Sequence, residues 1–196
     1  MNLTELSKAA FQNAKAHGFN ETEDIERTLM LIITEIGEAV DAHRKGWRAE
    51  GNRSWYDAVI EKTTDIDKRM TAFEGYIKNN MEDELADVVI RIASLCGACA
   101  DNLEADKEQW KAAERQATWM HTNVSFPAMC LHLCHSIFTA NSVRNCNGYR
   151  WLDAVKFVAW QVIEYCKLVG IDLDWYINAK MEYNKHRQPM HGNCKY

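Results

Sequence analysis

Two pairs of acidic residues have the spacing and the surroundings of a metal-binding site. Glu35 and Glu38 lie in the segment LIITEIGEAV, and Glu84 and Asp87 lie in the segment ELADVVI. Residues three positions apart share one face of an α-helix. Both pairs border the apolar residues of their segments, whereas a solvated acidic pair usually lies opposite them. Two antiparallel helices packed on these faces would therefore bring four carboxylates together.

Four carboxylates in one place need a counter-charge. Like charges at close range raise one another's pKa and destabilise the folded state. A divalent cation such as Mg²⁺ prefers oxygen ligands and removes the repulsion, and helix bundles build metal sites from inward-facing acids at this spacing. The alternative is that each pair is solvated or bound to lysine, because ExxE and ExxD are common in acidic helices. Spacing alone does not decide between the two.

The elements that must position these acids are predicted to be helices, because apolar residues recur every three or four positions. The chain has only two prolines, so long helices can run without interruption. Asn20 and Glu23 resemble a capping box, and Gly46 is suited to end the helix that follows. We expect an all-α, antiparallel helix bundle, with helices at about 3–17, 21–45, 54–73, 81–103, 104–119, 127–141, 151–169 and 173–186.

Composition excludes several classes of protein. The formal net charge of −5 provides no basic surface for a nucleic-acid backbone, so no nucleic-acid partner is expected. Seven scattered cysteines, an odd number, favour reduced thiols and a cytoplasmic protein. The N-terminal segment lacks the apolar core of a signal peptide, and no apolar stretch reaches the length of a membrane span. We therefore expect a cytoplasmic protein with no membrane partner.

A weak internal repeat relates the two halves of the chain. The helix with Glu35 and Glu38 resembles the segment with His132 and His135, and the stretch ending at Gly97 resembles the stretch ending at Gly170. A true duplication would give a two-lobed bundle whose second lobe has lost its acids and serves as scaffold. The alternative is the chance similarity of amphipathic helices. On either interpretation we expect residues 1–103 as the catalytic half and 104–196 as a second helical half, packed as one domain.

The acidic pairs belong to a longer ordered pattern. AHGFNE (16–21) precedes the first pair, EAVDAHRKG (38–46) follows it, and a K-x₃-N-x₂-R helix near the C-terminus leads to Pro189 and then His191-Gly. In this order the motifs resemble the MazG-like all-α nucleoside triphosphate pyrophosphohydrolases, a family related to the dimeric dUTPases. About half of the chain takes part in the resemblance.

The resemblance implies a reaction and a set of residues. Mg²⁺ or Mn²⁺ would be bound by Glu35, Glu38, Glu84 and Asp87, and water would attack the α-phosphorus as pyrophosphate leaves. Glu38 is our candidate for the general base. The substrate-contact candidates are Lys180, Asn184, Arg187 and His191. For the basic residues among them, the alternative is a helix end that complements the helix dipole.

The chain also departs from the family pattern. Thr34 occupies a position where many relatives carry a further acid. The segment 47–80 is longer than usual, and its Trp47, Trp55 and Tyr56 suggest either a lid that stacks on the base or a surface helix. Residues 104–170 are either an insertion or the degenerate repeat. Relatives usually assemble their sites in dimers or tetramers, so a homo-oligomer is expected.

Three alternatives stay open. The enzyme is either a broad housecleaning hydrolase or a base-specific dUTPase or dCTPase, because pocket shape decides base choice. A non-catalytic helical nucleotide-binding or assembly protein would have the same composition, although the presence of all four acids favours an enzyme. Finally, Cys130, His132, Cys134 and His135 have zinc-ligand chemistry, but their spacing on one helix favours core cysteines with histidines at its edge.

Overall fold

The computed structural model describes residues 1–146 and 150–187, and within these ranges it is all helical. A short 3-10 turn at Glu50–Asn52 precedes the third α-helix, and no strand is present in the described part. The α-helices are α1 Leu3–Ala16, α2 Ile25–Lys45, α3 Arg53–Lys62, α4 Ile66–Tyr76, α5 Met81–Ala98, α6 Lys107–Asn123, α7 Phe126–Val143, α8 Trp151–Leu168 and α9 Leu173–His186. The all-α prediction is confirmed.

Helix α2 begins later than the sequence suggested and ends where it was expected to end. The side chain of Asp24, not that of Asn20, caps the helix by accepting a hydrogen bond from the amide of Arg27 at 2.8 Å. The prediction of a capping box at Asn20 and Glu23 was therefore wrong. Gly46 ends the helix in the left-handed conformation, with φ of 69°.

The single helix predicted over residues 54–73 is two helices. Helix α3 ends at Lys62 and α4 starts at Ile66. Asp65 causes the break, because its side chain accepts hydrogen bonds from the amides of Asp67 and Lys68 and so starts a new helix. The prediction for residues 81–103 also ran too far, since α5 ends at Ala98.

Helix α5 is the centre of the fold. Helices α1, α2, α8 and α9 all pack against it, and α7 packs against both α2 and α8. Contacts pair Arg48 with Glu82 and Glu35 with Arg91, so α2 and α5 run antiparallel. Most of α5 is consequently buried, including several polar side chains: Glu82, Asp83, Glu84 and Ser94.

Helix α1 approaches α5 closely at Gly97. A Cβ atom added at this position would lie 2.6 Å from the carbonyl oxygen of Ser7 and 2.7 Å from Cβ of Phe11. Such distances are shorter than van der Waals contact, so only glycine lets the two helices meet here. Ser7 also accepts the amide hydrogen of Leu103, which fixes the chain after α5 against α1.

The segment between α2 and α5 leaves and rejoins the bundle at one place. The amide of Met81 donates to the carbonyl oxygen of Trp47 at 3.2 Å, and Glu82 accepts from Arg48 and from the amide of Ala49. Within the segment, α3 packs on α4, and α4 packs on α9.

Helix α7 carries an exposed apolar face. Its sequence FPAMCLHLCHSIFTANSV contains no Asp, Glu, Lys or Arg. Leu131 is 72% exposed and Phe138 is 66% exposed, and the exposed ring of Trp119 on α6 lies against His132 of α7. We call Trp119, Leu131 and Phe138 the α7 apolar face. None of the described helices combines the length and the apolarity needed to cross a membrane.

Candidate metal and substrate site

Three of the four predicted acids meet between α2 and α5. Glu35, Glu38 and Glu84 each offer a carboxylate oxygen, and these oxygens lie within 4.8 Å of one another. Glu35 and Glu84 are buried, whereas Glu38 is exposed to solvent. No other group of three or more acidic, histidine or cysteine side chains in the described part of the chain is close enough to share an ion.

Asp87 stands apart from this group and is held by a lysine. It lies one turn after Glu84 on α5, and its Oδ2 atom is 2.7 Å from Nζ of Lys180 on α9. Lys180 is itself buried, with 4% of its surface exposed. Helix α9, which carries the predicted substrate contacts, is therefore joined to the acidic site by an ion pair.

Asp83 is a member of the site that the sequence interpretation missed. It is fully buried, and its Oδ2 atom accepts hydrogen bonds from Nζ of Lys180 at 2.9 Å and from the amide of Asn79 at 3.0 Å. Its other oxygen, Oδ1, has no hydrogen-bond partner among the described residues. The available signal was its position four residues before Asp87, which places both on one helix face.

Burial and mutual repulsion shift the ionisation of these groups. Burial, together with the nearby Asp83, Asp87 and Glu35, raises the pKa of Glu84 to about 9. Burial also raises the pKa of Asp83 to about 6, although Lys180 opposes the change. For Lys180, burial lowers the pKa, but Asp87 and Asp83 outweigh it and raise the pKa overall.

Arg91 provides partial compensation on the other side of the site. Its Nε and terminal nitrogen each lie 2.6 Å from Oε1 of Glu35. Burial still raises the pKa of Glu35, because Asp87 and Glu38 add to it and Arg91 cancels only part of the effect. The acidic site therefore contains more carboxylate groups than Lys180 and Arg91 can neutralise.

The donor set fits a hard divalent cation. Three carboxylates that converge from two helices are oxygen ligands of the kind that Mg²⁺ and Mn²⁺ prefer. The raised pKa of Glu84 means that this carboxyl keeps its proton near neutral pH in the absence of an added positive charge. A cation would displace this proton and relieve the repulsion. The residues present thus fit the predicted metal, with Asp87 as a fourth carboxylate one turn away.

A cavity of about 110 Å³ adjoins the acidic site. Asp87 and Arg91 line it and also belong to the acidic site, so the two are continuous. Two predicted substrate contacts, Asn184 and Arg187, also line the cavity, and Nη1 of Arg187 donates to Oδ1 of Asn184 at 3.1 Å. This geometry places the end of α9 over the cavity.

The opposite wall of the cavity comes from α1 and the loop that follows it. His17 ties this wall to α9, since its ring nitrogens contact the carbonyl oxygens of Asn13 at 2.7 Å and Arg187 at 3.1 Å. Phe19, Asn20 and Glu21 continue the wall toward α2. The segment that resembles the family motif AHGFNE thus faces the cavity.

Other predicted residues fall elsewhere or outside the description. His191 lies outside the described residues. His132 and His135 are exposed on α7 while Cys130 is buried, and this segment forms no ligand group in the described ranges. Tyr56 is buried with its ring edge-on to Phe73 and Trp175, whereas Trp47 and Trp55 are exposed.

No family model, no curated protein and no solved structure matches this chain.

Proposed function

We propose that this chain is a metal-dependent nucleoside triphosphate pyrophosphohydrolase of the MazG-like kind, which cleaves an NTP or dNTP to the monophosphate and pyrophosphate and so clears the nucleotide pool. One observation carries the proposal. The carboxylates of Glu35, Glu38 and Glu84 converge within 4.8 Å beside a cavity that basic and amide side chains line. Acids that gather cations next to groups that bind phosphate are what a triphosphate substrate requires.

The acidic residues of the site have different roles in the proposed reaction. Glu35, Glu38 and Glu84 would hold Mg²⁺ or Mn²⁺, with Asp87 completing the set. When bound, the cation neutralises phosphate charge and acidifies water. Glu38, the exposed acid of the three, accepts the proton of the attacking water. The new bond forms between the water oxygen and the α-phosphorus, and the bond from that phosphorus to the bridging oxygen breaks as pyrophosphate leaves.

The residues of α9 take two different parts. Lys180 was predicted to contact substrate, but it is buried between Asp83 and Asp87. We assign it the role of positioning Asp87 rather than of binding phosphate directly. Asn184 and Arg187 line the cavity and keep their assignment as substrate contacts. Their guanidinium and amide groups can both donate hydrogen bonds to a polar substrate.

We also propose that the bundle arose by duplication. Helices α5 and α8 begin and end at positions 70 apart, since 81–98 corresponds to 151–168. After each helix one residue is left-handed, Ala100 or Gly170. The amide that follows then donates to the carbonyl oxygen of Cys96 or Cys166. This register pairs Gly170 with Ala100, so it replaces the pairing with Gly97 inferred from the sequence.

The surroundings of the two helices also correspond. Helix α1 packs on α5 as α6 packs on α8, and α2 packs on α5 as α7 packs on α8. In the register of 70, Ala154 and Phe157 replace Glu84 and Asp87. Both line a groove between α6, α7 and α8. The second lobe on this proposal keeps the packing and has lost the ligands.

We propose self-association through the α7 apolar face. An uncharged helix with exposed Leu131 and Phe138 meets a second copy of itself without burying a charge. A cytoplasmic setting is proposed as well, and it is supported by the free thiols of all six cysteines in the described ranges.

The test is pyrophosphate release from a panel of NTPs and dNTPs, with Mg²⁺, with Mn²⁺ and with EDTA. We expect metal-dependent release of pyrophosphate, with the monophosphate as the other product. Release of inorganic phosphate alone would contradict the proposed cleavage position. If folded protein releases no product from any nucleotide in the panel, a non-catalytic nucleotide-binding or assembly protein would be favoured.

A further inference from the structure

The wall of the cavity contains a buried carboxylate of which only one oxygen accepts a hydrogen bond. Glu21 is 9% exposed, and its Oε1 atom accepts a hydrogen bond from Oγ of Ser94 on α5. Its Oε2 atom is buried and has no hydrogen-bond partner among the described residues. Both Glu21 and Ser94 line the cavity.

An unpaired buried carboxylate oxygen is costly. A buried acceptor without a donor destabilises the folded state, and a charged one does so more strongly. Native proteins keep such groups rarely, and a cavity beside one suggests that a ligand provides the donor. Ser94 occupies one oxygen, so Oε2 is the oxygen of this carboxylate that still needs a donor.

The size and position of the cavity indicate which part of a ligand enters it. At about 110 Å³ it is smaller than the roughly 300–1,000 Å³ of sites that enclose whole drug-sized molecules. One ring system fits such a volume better than a whole nucleotide does. Asp87 and Arg91 lie where the cavity joins the acidic site, so the phosphates of a nucleotide would extend toward that end.

We propose that Glu21 is a specificity-determining residue that selects nucleobases with an exocyclic amino group. This inference rests on the proposed function, because it takes the cavity to be the base site of the same enzyme. The amino N–H donates to Oε2 of Glu21. A base with a keto oxygen at that place brings two acceptors together, so it is rejected. Cytosine and uracil differ by this exchange at C4 and by the proton that uracil carries on N3, and they are the closest pair of natural bases for the comparison.

The experiment measures the binding of CMP and UMP by calorimetry, with Mg²⁺ present and with EDTA. A hydrogen bond to a charged group contributes about 1.5–3 kcal/mol, so we expect CMP to bind roughly 10- to 100-fold more tightly than UMP. Glu21→Gln keeps the shape of the side chain but supplies an amide N–H to a keto oxygen. We expect it to reduce the CMP/UMP ratio to near 1 or to invert it.

Glu23→Gln is the matched control, because Glu23 is an exposed acid two residues away. It should leave the ratio as in the unmodified protein. Ser94→Ala frees the carboxylate to turn and should reduce the ratio without inverting it. Because each ratio is measured on one protein sample, a partial loss of folded protein does not change it.

Failure of this inference and failure of the proposed function give different results. A CMP preference that Glu21→Gln abolishes, in a protein that hydrolyses no triphosphate, supports the role of Glu21 and overturns the enzymatic function. Pyrophosphate release with equal binding of CMP and UMP overturns the role of Glu21 and keeps the enzyme. The role of Glu21 is also overturned if Glu21→Gln leaves the CMP/UMP ratio unchanged, or if neither monophosphate binds.

Discussion

Nζ of Lys180 lies 2.7 Å from Oδ2 of Asp87, so a lysine holds the predicted acidic ligand that stands apart from the other three. The same ammonium group is 2.9 Å from Oδ2 of Asp83, which is fully buried. One cation thus serves two carboxylates, and α9 is fastened to α5 at the edge of the proposed metal site. The stability of the bundle and the position of Asp87 depend on the same contact.

Replacement of this lysine should destabilise the protein severely. Lys180→Met leaves two carboxylates near each other without their shared cation, and breaking a buried ion pair costs about 3–5 kcal/mol. We expect that loss in urea unfolding at pH 8. Lys185→Met, which removes an exposed ion pair with Glu182, should cost less than about 1 kcal/mol. Equal losses in the two variants would contradict the buried-pair interpretation.

Removal of one carboxylate should separate catalysis from folding. Glu38→Gln takes a charge out of the cluster without disturbing a buried contact, so the fold should be as stable as before or more so. Turnover should fall by at least roughly 100-fold, the scale of general-base catalysis. Glu114→Gln, an exposed acid on α6, is the control and should keep full turnover.

Asp87→Asn should also abolish turnover, although its effect on folding is less favourable because the Lys180 pair is weakened. Calorimetric titration with Mn²⁺ would check that both acidic variants bind metal more weakly. Retained activity in both Glu38→Gln and Asp87→Asn would remove the site assignment.

The metal-free protein should lose stability as pH rises. Glu84 keeps its proton to a pKa of about 9 in the folded state, whereas an exposed glutamate releases it near 4.5. Between these values the folded state binds more protons, so raising the pH favours unfolding. One proton contributes at most about 1.4 kcal/mol per pH unit, and a chain of this length loses roughly 2–4 °C of Tm per kcal/mol.

Thermal unfolding in EDTA from pH 5 to pH 9 measures this dependence. Glu84→Gln should flatten the curve, because the titrating group is gone. Mg²⁺ or Mn²⁺ should also flatten it by stabilising the ionised cluster. A Tm that rises with pH across this window in the unmodified protein would contradict the raised pKa of Glu84.

The contact of α1 with α5 should depend on a glycine. Gly97→Ala places a Cβ atom 2.6 Å from the carbonyl oxygen of Ser7, and such overpacking costs about 1–3 kcal/mol. Gly75→Ala on α4 meets no atom within 4 Å and should be neutral or stabilising by up to about 1 kcal/mol. Urea unfolding of both variants tests the difference, and a stabilised Gly97→Ala would disprove the close approach.

The sequence indicated the helices and the central acids because both depend on local pattern. The 3–4 spacing of apolar residues predicted α2 and α5, and the two ExxE and ExxD motifs predicted which faces would meet. The helix boundaries were less accurate. Asp24 and Asp65 compete as caps with neighbouring polar residues, and the choice between them depends on which residues the bundle buries.

Contacts across the chain were beyond local pattern. Nothing near Lys180 in the sequence indicates that it lies between Asp83 and Asp87, 97 and 93 positions away. The partly satisfied carboxylate of Glu21 depends on Ser94, 73 residues later. These relationships arise only when α1, α2 and α9 close around α5, and they decide which acids are paired with a lysine or an arginine.

The hydrogen bond from Met81 to Trp47 closes the segment 47–80 at its base. Because the two ends of this segment are hydrogen-bonded to each other, its length can change during evolution without moving α2 or α5. Its inner surface is less free to vary, because the ring of Phe73 stacks on that of Tyr183 and the hydroxyl of Tyr183 donates to Glu74. Divergence in this region would therefore reach the acidic site along two routes, through α9 three residues from Lys180 and through the contact of Asn79 with Asp83 on α5.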